Sequence, residues 1–326
     1  MNQRIETIAV VGAGYMGGGI AQSLADAGFP VVIADVSSAA AHSARDRLLA
    51  ETADFERDGL LEPGAVERVT RNLSVAETIE DAVRDVDFVE EAVFEVPEVK
   101  HEVLARISAA ARPDAIIGSN TSTIPVRVLD TAVERPERFL TVHWSNPAPF
   151  VPGIEIVAGR HTDPSIVPLV KEMLATAGRS SAQVADTPGF VLNRLQYVLL
   201  KEAMSIVEEG VATIDDVDTI VRSTFGFRLG FFGPFAIADM AGLDVYADCF
   251  RTFEDAYGER FATPRLLSET VAAGRLGVKS GAGLTGDFSP EQRAELVGYR
   301  SRAYSRFAGL LAELGPSPID PERAEG

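Results

Sequence analysis

The sequence predicts an α/β chain: a doubly wound, mostly parallel sheet with a helical excursion, followed by an all-helical C-terminal domain. Three observations carry this. The chain opens with an apolar run, Thr7 to Val11, that flows into the glycine-rich turn GAGYMGGG and a small-residue helical pattern. β-rich runs then alternate with helical patterns, the alternation that a parallel sheet with crossover helices requires. From Thr187 onward the strand patterns stop and helical periodicity takes over.

Taken in order, the first helix carries Ile20, Ala21, Leu24 and Ala25 on one face and ends near Gly28. A second β-rich run, Pro30 to Ala34, ends at Asp35 and completes the opening of a βαβ unit. A long helical region, about Ala39 to Asp58, a break at Gly59 to Gly64, and a short helix, Ala65 to Arg71, form an excursion off the sheet. Strands follow at Asp87 to Ala92, Ala115 to Gly118, Phe139 to His143 and Ile154 to Val157, with a helix at Val99 to Ala111. Beyond the turn in DTPGF, helices are expected at Val191 to Glu209, Ile214 to Ser223, Phe235 to Phe250, Thr263 to Ala273 and Pro290 to Leu314, with no strand between them.

A length of 326 residues suits two domains with substantial cores. The expected boundaries are 1–186 for the sheet domain, 187–314 for the helical domain, and a mobile tail at 315–326 ending PSPIDPERAEG. Thirty basic against 48 acidic side chains give a net charge of −18, which disfavours nucleic acid and anionic membranes as partners. No apolar run reaches the roughly 18 residues of a membrane span, and the apolar start reads as a strand, so a cytoplasmic protein is expected. The single cysteine, Cys249, excludes an internal disulfide and is assigned an ordinary core role. Metal binding is not expected, because the histidines are scattered without paired ligand spacing.

The glycine turn sits between a strand and a helix, the context that gives GxGxxG its meaning. Gly12 permits the tight turn, Gly14 lets the backbone approach a pyrophosphate, and Gly17 lets the helix pack on the strand, with Tyr15 and Met16 opening the helix. That is the Rossmann arrangement. Asp35, about twenty residues on, is placed to accept hydrogen bonds from the ribose hydroxyls and to repel a 2′-phosphate, which predicts NAD rather than NADP. His143, in HWSNP, has Glu155 twelve residues further on. An imidazole, an acid able to orient it and a nicotinamide site make up a minimal set for interconverting an alcohol and a ketone. His42, His101 and His161 have no matched acid and read as surface residues, and Trp144 reads as a cleft-wall or core residue.

These residues, together with the SNTS run at Ser119 to Ser122, DTPGFVLNR and the KSGAG run at Lys279 to Gly283, resemble the short-chain L-3-hydroxyacyl-CoA dehydrogenases as far as about Gly283. The resemblance implies that His143 is the general base and Glu155 its orienting acid. It places Ser122 and Asn193 on the substrate's oxygens, with Ser122 and Asn146 beside the nicotinamide. Glu95, Lys100 and Lys279 fall on positions that contact NAD, Lys279 from the helical domain. A small-molecule hydroxy substrate follows from the same likeness. The phenylalanine-rich run Leu229 to Ala241 argues for a homodimer through the helical domain, being more apolar than one small domain easily buries.

The chain departs from that pattern in the excursion. Counting from Asp35, the positions of a serine and a lysine that contact the CoA nucleotide fall on Glu51 and Asp58, with Arg57 adjacent. Two acids disfavour a phosphorylated anionic ligand. HWSNP, IEIVAG and DMAGLDVY more closely resemble a branch acting on small non-CoA hydroxyl compounds, such as the pyridine-carboxylate dehydrogenases of vitamin B6 degradation. The expectation is therefore NAD-dependent oxidation of a small hydroxy acid or alcohol, with a 3-hydroxyacyl-CoA thioester as the alternative substrate. A 6-phosphogluconate-type enzyme needs a lysine where Asn193 and Arg194 stand, and a non-catalytic NAD-binding protein has no use for Ser122, His143, Glu155 and Asn193 together.

Overall fold

In the computed structural model, which describes residues 4–318, the first apolar run is a fully buried strand, β1 (Ile8–Val11). The glycine turn leads from it into α1 (Tyr15–Asp26). β2 (Val31–Ala34) follows, then the excursion: α2 (Ser38–Arg57) and α3 (Ala65–Asn72). Ser37 starts α2 by accepting a hydrogen bond from the Ala40 amide, and Ala41, Ala44, Leu48 and Thr52 form its buried stripe at helical spacing. Next come β3 (Leu73–Val75), α4 (Ile79–Val83), β4 (Phe88–Glu91), α5 (Pro97–Ala110), β5 (Ile116–Ser119) and α6 (Val126–Leu129). β6 (Phe139–Trp144), β7 (Gly153–Ala158), α7 (Ile166–Thr176) and β8 (Ser180–Ala185) complete the sheet, and α8 (Leu192–Glu208) leaves it.

The eight strands form one sheet in the order β3-β2-β1-β4-β5-β6-β7-β8. Neighbours are parallel except β6 and β7, which run antiparallel. Helices on both faces explain why the central strands read as continuous apolar runs rather than alternating ones. Ile8 and Val10 face one core, with Ile20, Leu24 and Leu48, while Ala9 and Val11 face the other, with Leu104, Ile107 and Phe139. The reversal of strand order between β1 and β4 puts the C-terminal ends of those strands at the topological switch point where open α/β sheets bind ligands.

Two strands escaped the sequence reading. β3 has three residues, only one of them buried, and β8 is a largely exposed edge strand, SSAQVA, without an apolar face. Both lack the periodicity on which the reading depended.

The chain divides into two compact units, Met1–Leu200 and Lys201–Gly326. The division falls inside α8, fourteen residues later than the boundary expected at 186, because the start of α8 is bonded to Glu155 and Ser122 of the sheet unit. The second unit is helical: α9 (Ile214–Ser223), α10 (Phe225–Leu229), α11 (Pro234–Ala241), α12 (Leu243–Tyr257), α13 (Arg265–Ala272) and α14 (Pro290–Leu314). The single helix expected at Phe235 to Phe250 is broken at Gly242, whose φ of 107° no regular helix accommodates. Cys249 is exposed on α12, so its expected core role is corrected. Part of the phenylalanine-rich run is used internally, since Phe231 and Phe232 pack on Tyr299, Tyr304 and Phe307 of α14, whereas Phe235 is exposed. Of the expected tail, residues 319–326 lie outside the described residues.

Candidate active site

The glycine turn is shaped by close approach. A Cβ on Gly12 would lie 2.7 Å from the Ala92 carbonyl oxygen, and one on Gly17 only 1.8 Å from that of Gly12, so neither position accepts a side chain. At Gly14 a Cβ would meet nothing within 4 Å. Above that open position, the Gly14, Tyr15 and Met16 amides at the start of α1 have no protein acceptor among the described residues. Orphan amides at a helix N-terminus with room for an anion suit a dinucleotide's pyrophosphate. Asp35 closes the turn from the end of β2: one oxygen accepts from the Ala13 amide and the other from Val36, each at 2.7 Å. Its remaining lone pairs are available to ribose hydroxyls. Tyr15 is exposed beside the turn, and Met16 packs against the core beneath it.

His143 and Glu155 are directly opposed across the antiparallel pair β6/β7, which is the physical meaning of their twelve-residue spacing. Cross-strand partners put their side chains on the same face, within reach of each other. His143 Nδ1 lies 2.8 Å from Glu155 Oε2 in a site where the imidazole is only 5% exposed. The other carboxylate oxygen, Oε1, accepts from the Val191 and Leu192 amides at 2.8 and 2.9 Å. Burial by itself raises the Glu155 carboxyl, but the bonds from His143, Leu192 and Val191 outweigh it and hold the group below the ordinary carboxylate range. An ionised carboxylate only accepts hydrogen bonds, so Nδ1 is the protonated nitrogen and Nε2 carries the free lone pair. Nε2 lies 3.2 Å from Ser122 Oγ.

Ser122 is itself held from two sides. Asn193, in the first turn of α8, donates from Nδ2 to the Ser122 carbonyl at 3.0 Å. Glu95 Oε1 accepts from the Ser122 amide at 2.8 Å, from Thr121 Oγ1 at 2.7 Å and from the Thr123 amide at 3.0 Å. Against the raising effect of burial, these bonds and the Lys100 charge hold the Glu95 carboxyl below its usual range. The structure therefore places Glu95 as an anchor for the SNTS loop.

Lys100 differs from the expected cofactor contact. Both it and Glu91 are 0% exposed, and its Nζ bonds Glu91 at 2.8 Å and the Val93 and Asn120 carbonyls at 3.3 and 3.2 Å. An ammonium with that many internal acceptors supports the ends of β4 and β5 rather than facing a ligand. Asn146 is exposed in the loop after β6, next to a cis bond to Pro147. Lys279 lies in the second unit, where it pairs with Asp244 at 2.7 Å. Its loop is fixed by the buried Asp239, which accepts from the Leu284 and Thr285 amides, each at 2.8 Å.

Trp144 is a core residue, with the Arg179 guanidinium 5.5 Å from its ring centre. His42 is an exposed residue near Glu77, and His101 bonds the Val128 carbonyl. His161 does have an acid, the buried Asp130 at 3.0 Å, which corrects the expectation that it stands without one.

Sequence reasoning missed three contributors. Phe190 is buried with φ of 47°, a conformation uncommon for a bulky residue, and its ring centre is 5.7 Å from that of His143. Asn120 Oδ1 accepts from the Trp144 amide at 3.0 Å, tying the SNTS loop to the strand that bears His143. Arg47 reaches from α2 to the Ala13 carbonyl at 3.0 Å. The DTPGF and SNTS runs marked the first two places, but nothing local marked Arg47.

In the excursion, Glu51 is paired with Arg47 at 3.0 Å, and Arg57 is shared by Asp54 at 2.5 Å and Asp58 at 3.1 Å. Arg57 is thus already neutralised by adjacent acids, whereas Arg45 of the same helix donates to the Leu73 carbonyl.

Comparison with known proteins agrees with the geometry. Residues 7–187 match the family described as 3-hydroxyacyl-CoA dehydrogenase, NAD binding domain, and residues 189–286 match its C-terminal domain. The chain is 36% identical over 299 residues to the 5-formyl-3-hydroxy-2-methylpyridine 4-carboxylate 5-dehydrogenase of Mesorhizobium japonicum, covering 91% of this chain and 96% of that one. A probable 3-hydroxybutyryl-CoA dehydrogenase of Bacillus subtilis is 34% identical over 280 residues, 86% of this chain and 96% of the relative. Among solved structures, a 3-hydroxyacyl-CoA dehydrogenase of Archaeoglobus fulgidus superposes with a TM-score of 0.78 at 32% identity, over 95% of this chain and 99% of that one. A solved pyridine-carboxylate 5-dehydrogenase, described as an NAD+-dependent dismutase, gives 0.71 at 35% identity, over 96% of this chain and 100% of that one.

Proposed function

The chain belongs to the 3-hydroxyacyl-CoA dehydrogenase family of NAD-dependent oxidoreductases, and from that premise we propose that it oxidises the hydroxyl of a small, non-CoA hydroxy acid or alcohol to a carbonyl, with His143 as general base. The observation that carries the reading is the polarised imidazole: Glu155 on Nδ1, and Nε2 free beside Ser122. NAD held at the Gly12–Gly17 turn and Asp35 would supply the hydride acceptor for the carbinol carbon. His143 Nε2 takes the hydroxyl proton, so a C–H and an O–H bond are lost as the C=O forms. The ionised Glu155 stabilises the imidazolium that results. Ser122 Oγ, in hydrogen-bond range of Nε2, is placed to donate to the substrate oxygen as it gains alkoxide character, and Asn193 holds the Ser122 main chain.

Support for a substrate without CoA comes from the excursion, whose Glu51, Arg57 and Asp58 offer a 3′-phosphate no unpaired cation. It comes also from the relative whose name specifies a pyridine carboxylate. The similarity to 3-hydroxybutyryl-CoA dehydrogenases makes the thioester the competing reading. Turnover followed by nicotinamide absorbance decides between them. The proposal expects activity on free hydroxy acids or aromatic alcohols, with no more than about a tenfold gain on adding CoA, and loss of about 10²–10⁴ in His143→Ala. A CoA thioester turned over far better than every free acid would reverse the substrate assignment, and an active His143→Ala the mechanism.

A homodimer in the cytoplasm completes the proposal. Tyr197, Val198, Leu199, Leu200 and Met204 are exposed along α8, giving a second copy an apolar surface to cover. Light scattering showing a single-chain mass would refute the dimer. No helix among the described residues is long and apolar enough to cross a membrane.

A further inference from the structure

The guanidinium of Arg47 lies against the glycine turn, 34 residues away in sequence. Nη2 donates to the Ala13 carbonyl at 3.0 Å and approaches the Gly14 carbonyl at 3.5 Å, while Nη1 is held by Glu51 one helical turn on, at 3.0 and 3.3 Å. Its place is fixed further by contact with α1, because a Cβ on Gly18 would come within 2.9 Å of Nη2. A trans peptide points its C=O and N–H in opposite directions. A donor that fixes the Ala13 and Gly14 carbonyls therefore aims the Gly14 and Tyr15 amides the other way. Those are amides without a protein acceptor among the described residues, on the open side of Gly14.

We propose that Arg47 is a positioning residue of the dinucleotide site, setting the direction of the Gly14 and Tyr15 amides toward the ligand's diphosphate and adding positive charge behind them. The inference rests on the reading of the turn as the NAD site. It assigns to α2, otherwise only a packing helix of the excursion, a part in cofactor affinity. The effect is confined to the diphosphate, because the ribose is served by Asp35 at the other side of the turn.

The test is binding rather than turnover, on the full chain. NADH affinity is measured by titration calorimetry and adenosine affinity by ligand-observed NMR, for wild type, Arg47→Ala and Arg47→Lys. Arg47→Ala is expected to weaken NADH about tenfold, the worth of a charged hydrogen bond, and to leave adenosine unchanged. Arg47→Lys, which keeps the charge and one donor, is expected to recover NADH to within about threefold. Arg47→Gln, with a donor but no charge, keeps the comparison open if the alanine variant does not fold, and is expected to lose affinity for NADH alone. Undiminished NADH affinity in Arg47→Ala or Arg47→Gln overturns the proposal, as do equal losses for NADH and adenosine. A wild-type chain that binds no NADH overturns the dinucleotide reading, and with it the role of Arg47.

Discussion

Replacing Glu155 by glutamine tests the proposed dyad in a way that separates chemistry from folding. The carboxylate makes three bonds in two directions: Oε2 to His143 Nδ1, and Oε1 to the Val191 and Leu192 amides. A glutamine has one oxygen and one NH2. The two amides are fixed donors at the start of α8, so they require the glutamine oxygen, and the NH2 is left facing Nδ1. Two donors cannot meet, so Nδ1 must give up its hydrogen and become an acceptor, which moves the proton to Nε2. The nitrogen that should take the hydroxyl proton is then already occupied. In a Ser–His–Asp triad the equivalent change of acid to amide lowers turnover by about 10⁴, or about 5.4 kcal/mol at 1.36 kcal/mol per decade. A loss of about 10³–10⁴ in kcat is expected here, with NADH affinity unaltered. Stability should rank the other way. Glu155→Ala leaves the Val191 and Leu192 amides without an acceptor, a cost of about 1–3 kcal/mol for each group that water does not reach. Glutamine retains that acceptor. Turnover at saturating NAD and thermal unfolding, measured on both variants, should therefore show the glutamine protein to be the better folded and no more active. A glutamine variant within about threefold of wild-type turnover would refute the tautomer argument, and losses that merely follow stability would reduce Glu155 to a structural role.

Two other substitutions probe the sheet. Asp35→Ala removes the acceptor for the Ala13 amide and the proposed ribose partner; NAD should weaken about tenfold and the preference over NADP should shrink, whereas an unchanged ratio of dissociation constants places the selecting acid elsewhere. Glu90, on β4, is fully buried with both oxygens unpartnered among the described residues, and burial, reinforced by the neighbouring Glu91 charge, pushes its carboxyl well above the ordinary range. An acid whose folded pKa is raised contributes stability that is complete below the unfolded value, about 4.3, and is lost as pH rises through the folded one. Glu90→Gln, a mimic of the protonated acid, should match wild type near pH 4 and exceed it by on the order of 1–3 kcal/mol at pH 8. A gap in melting temperature that is constant across that range would show that Glu90 does not titrate with folding.

Local sequence displayed those parts of the site that depend on short spacing or cross-strand pairing. The turn at Gly12, Gly14 and Gly17 works through contacts made within one strand–turn–helix unit, and that unit is contiguous in the chain. His143 and Glu155 are near in sequence because one hairpin brings them together. Groups that meet through the tertiary fold left no such trace. Arg47 lies on an excursion helix whose charge pattern reads as a solvated face, yet one turn of it is buried against α1 through Gln22, Thr52 and Leu48. Asp130 is the same kind of case, since its partner His161 comes after both β6 and β7 in the chain. Lys100 was legible as important but not as internal, because the carboxylate that captures it, Glu91, reads from sequence as one of two adjacent acids at a strand end. Cys249 was misplaced for a simpler reason: a lone cysteine in a helix of mixed polarity says little about which face it occupies.

The antiparallel register of β6 and β7 has a consequence for how such a protein can diversify. His143 and Glu155 stand one rung inside the last pair of the ladder, Trp144 with Ile154, and the segment 145–152 joins the two strands beyond it. The rungs clamp the two residues to each other whatever that connecting segment contains. Exchanged side chains at the exposed Phe150 and Pro152 can thus accumulate without altering the 2.8 Å contact, whereas Ala148 between them and the strand is buried in the core. A library randomised at Phe150 and Pro152 and screened on varied alcohols should yield altered substrate preference at nearly constant proton-transfer competence, because the hairpin separates positions that can vary from the pair that cannot.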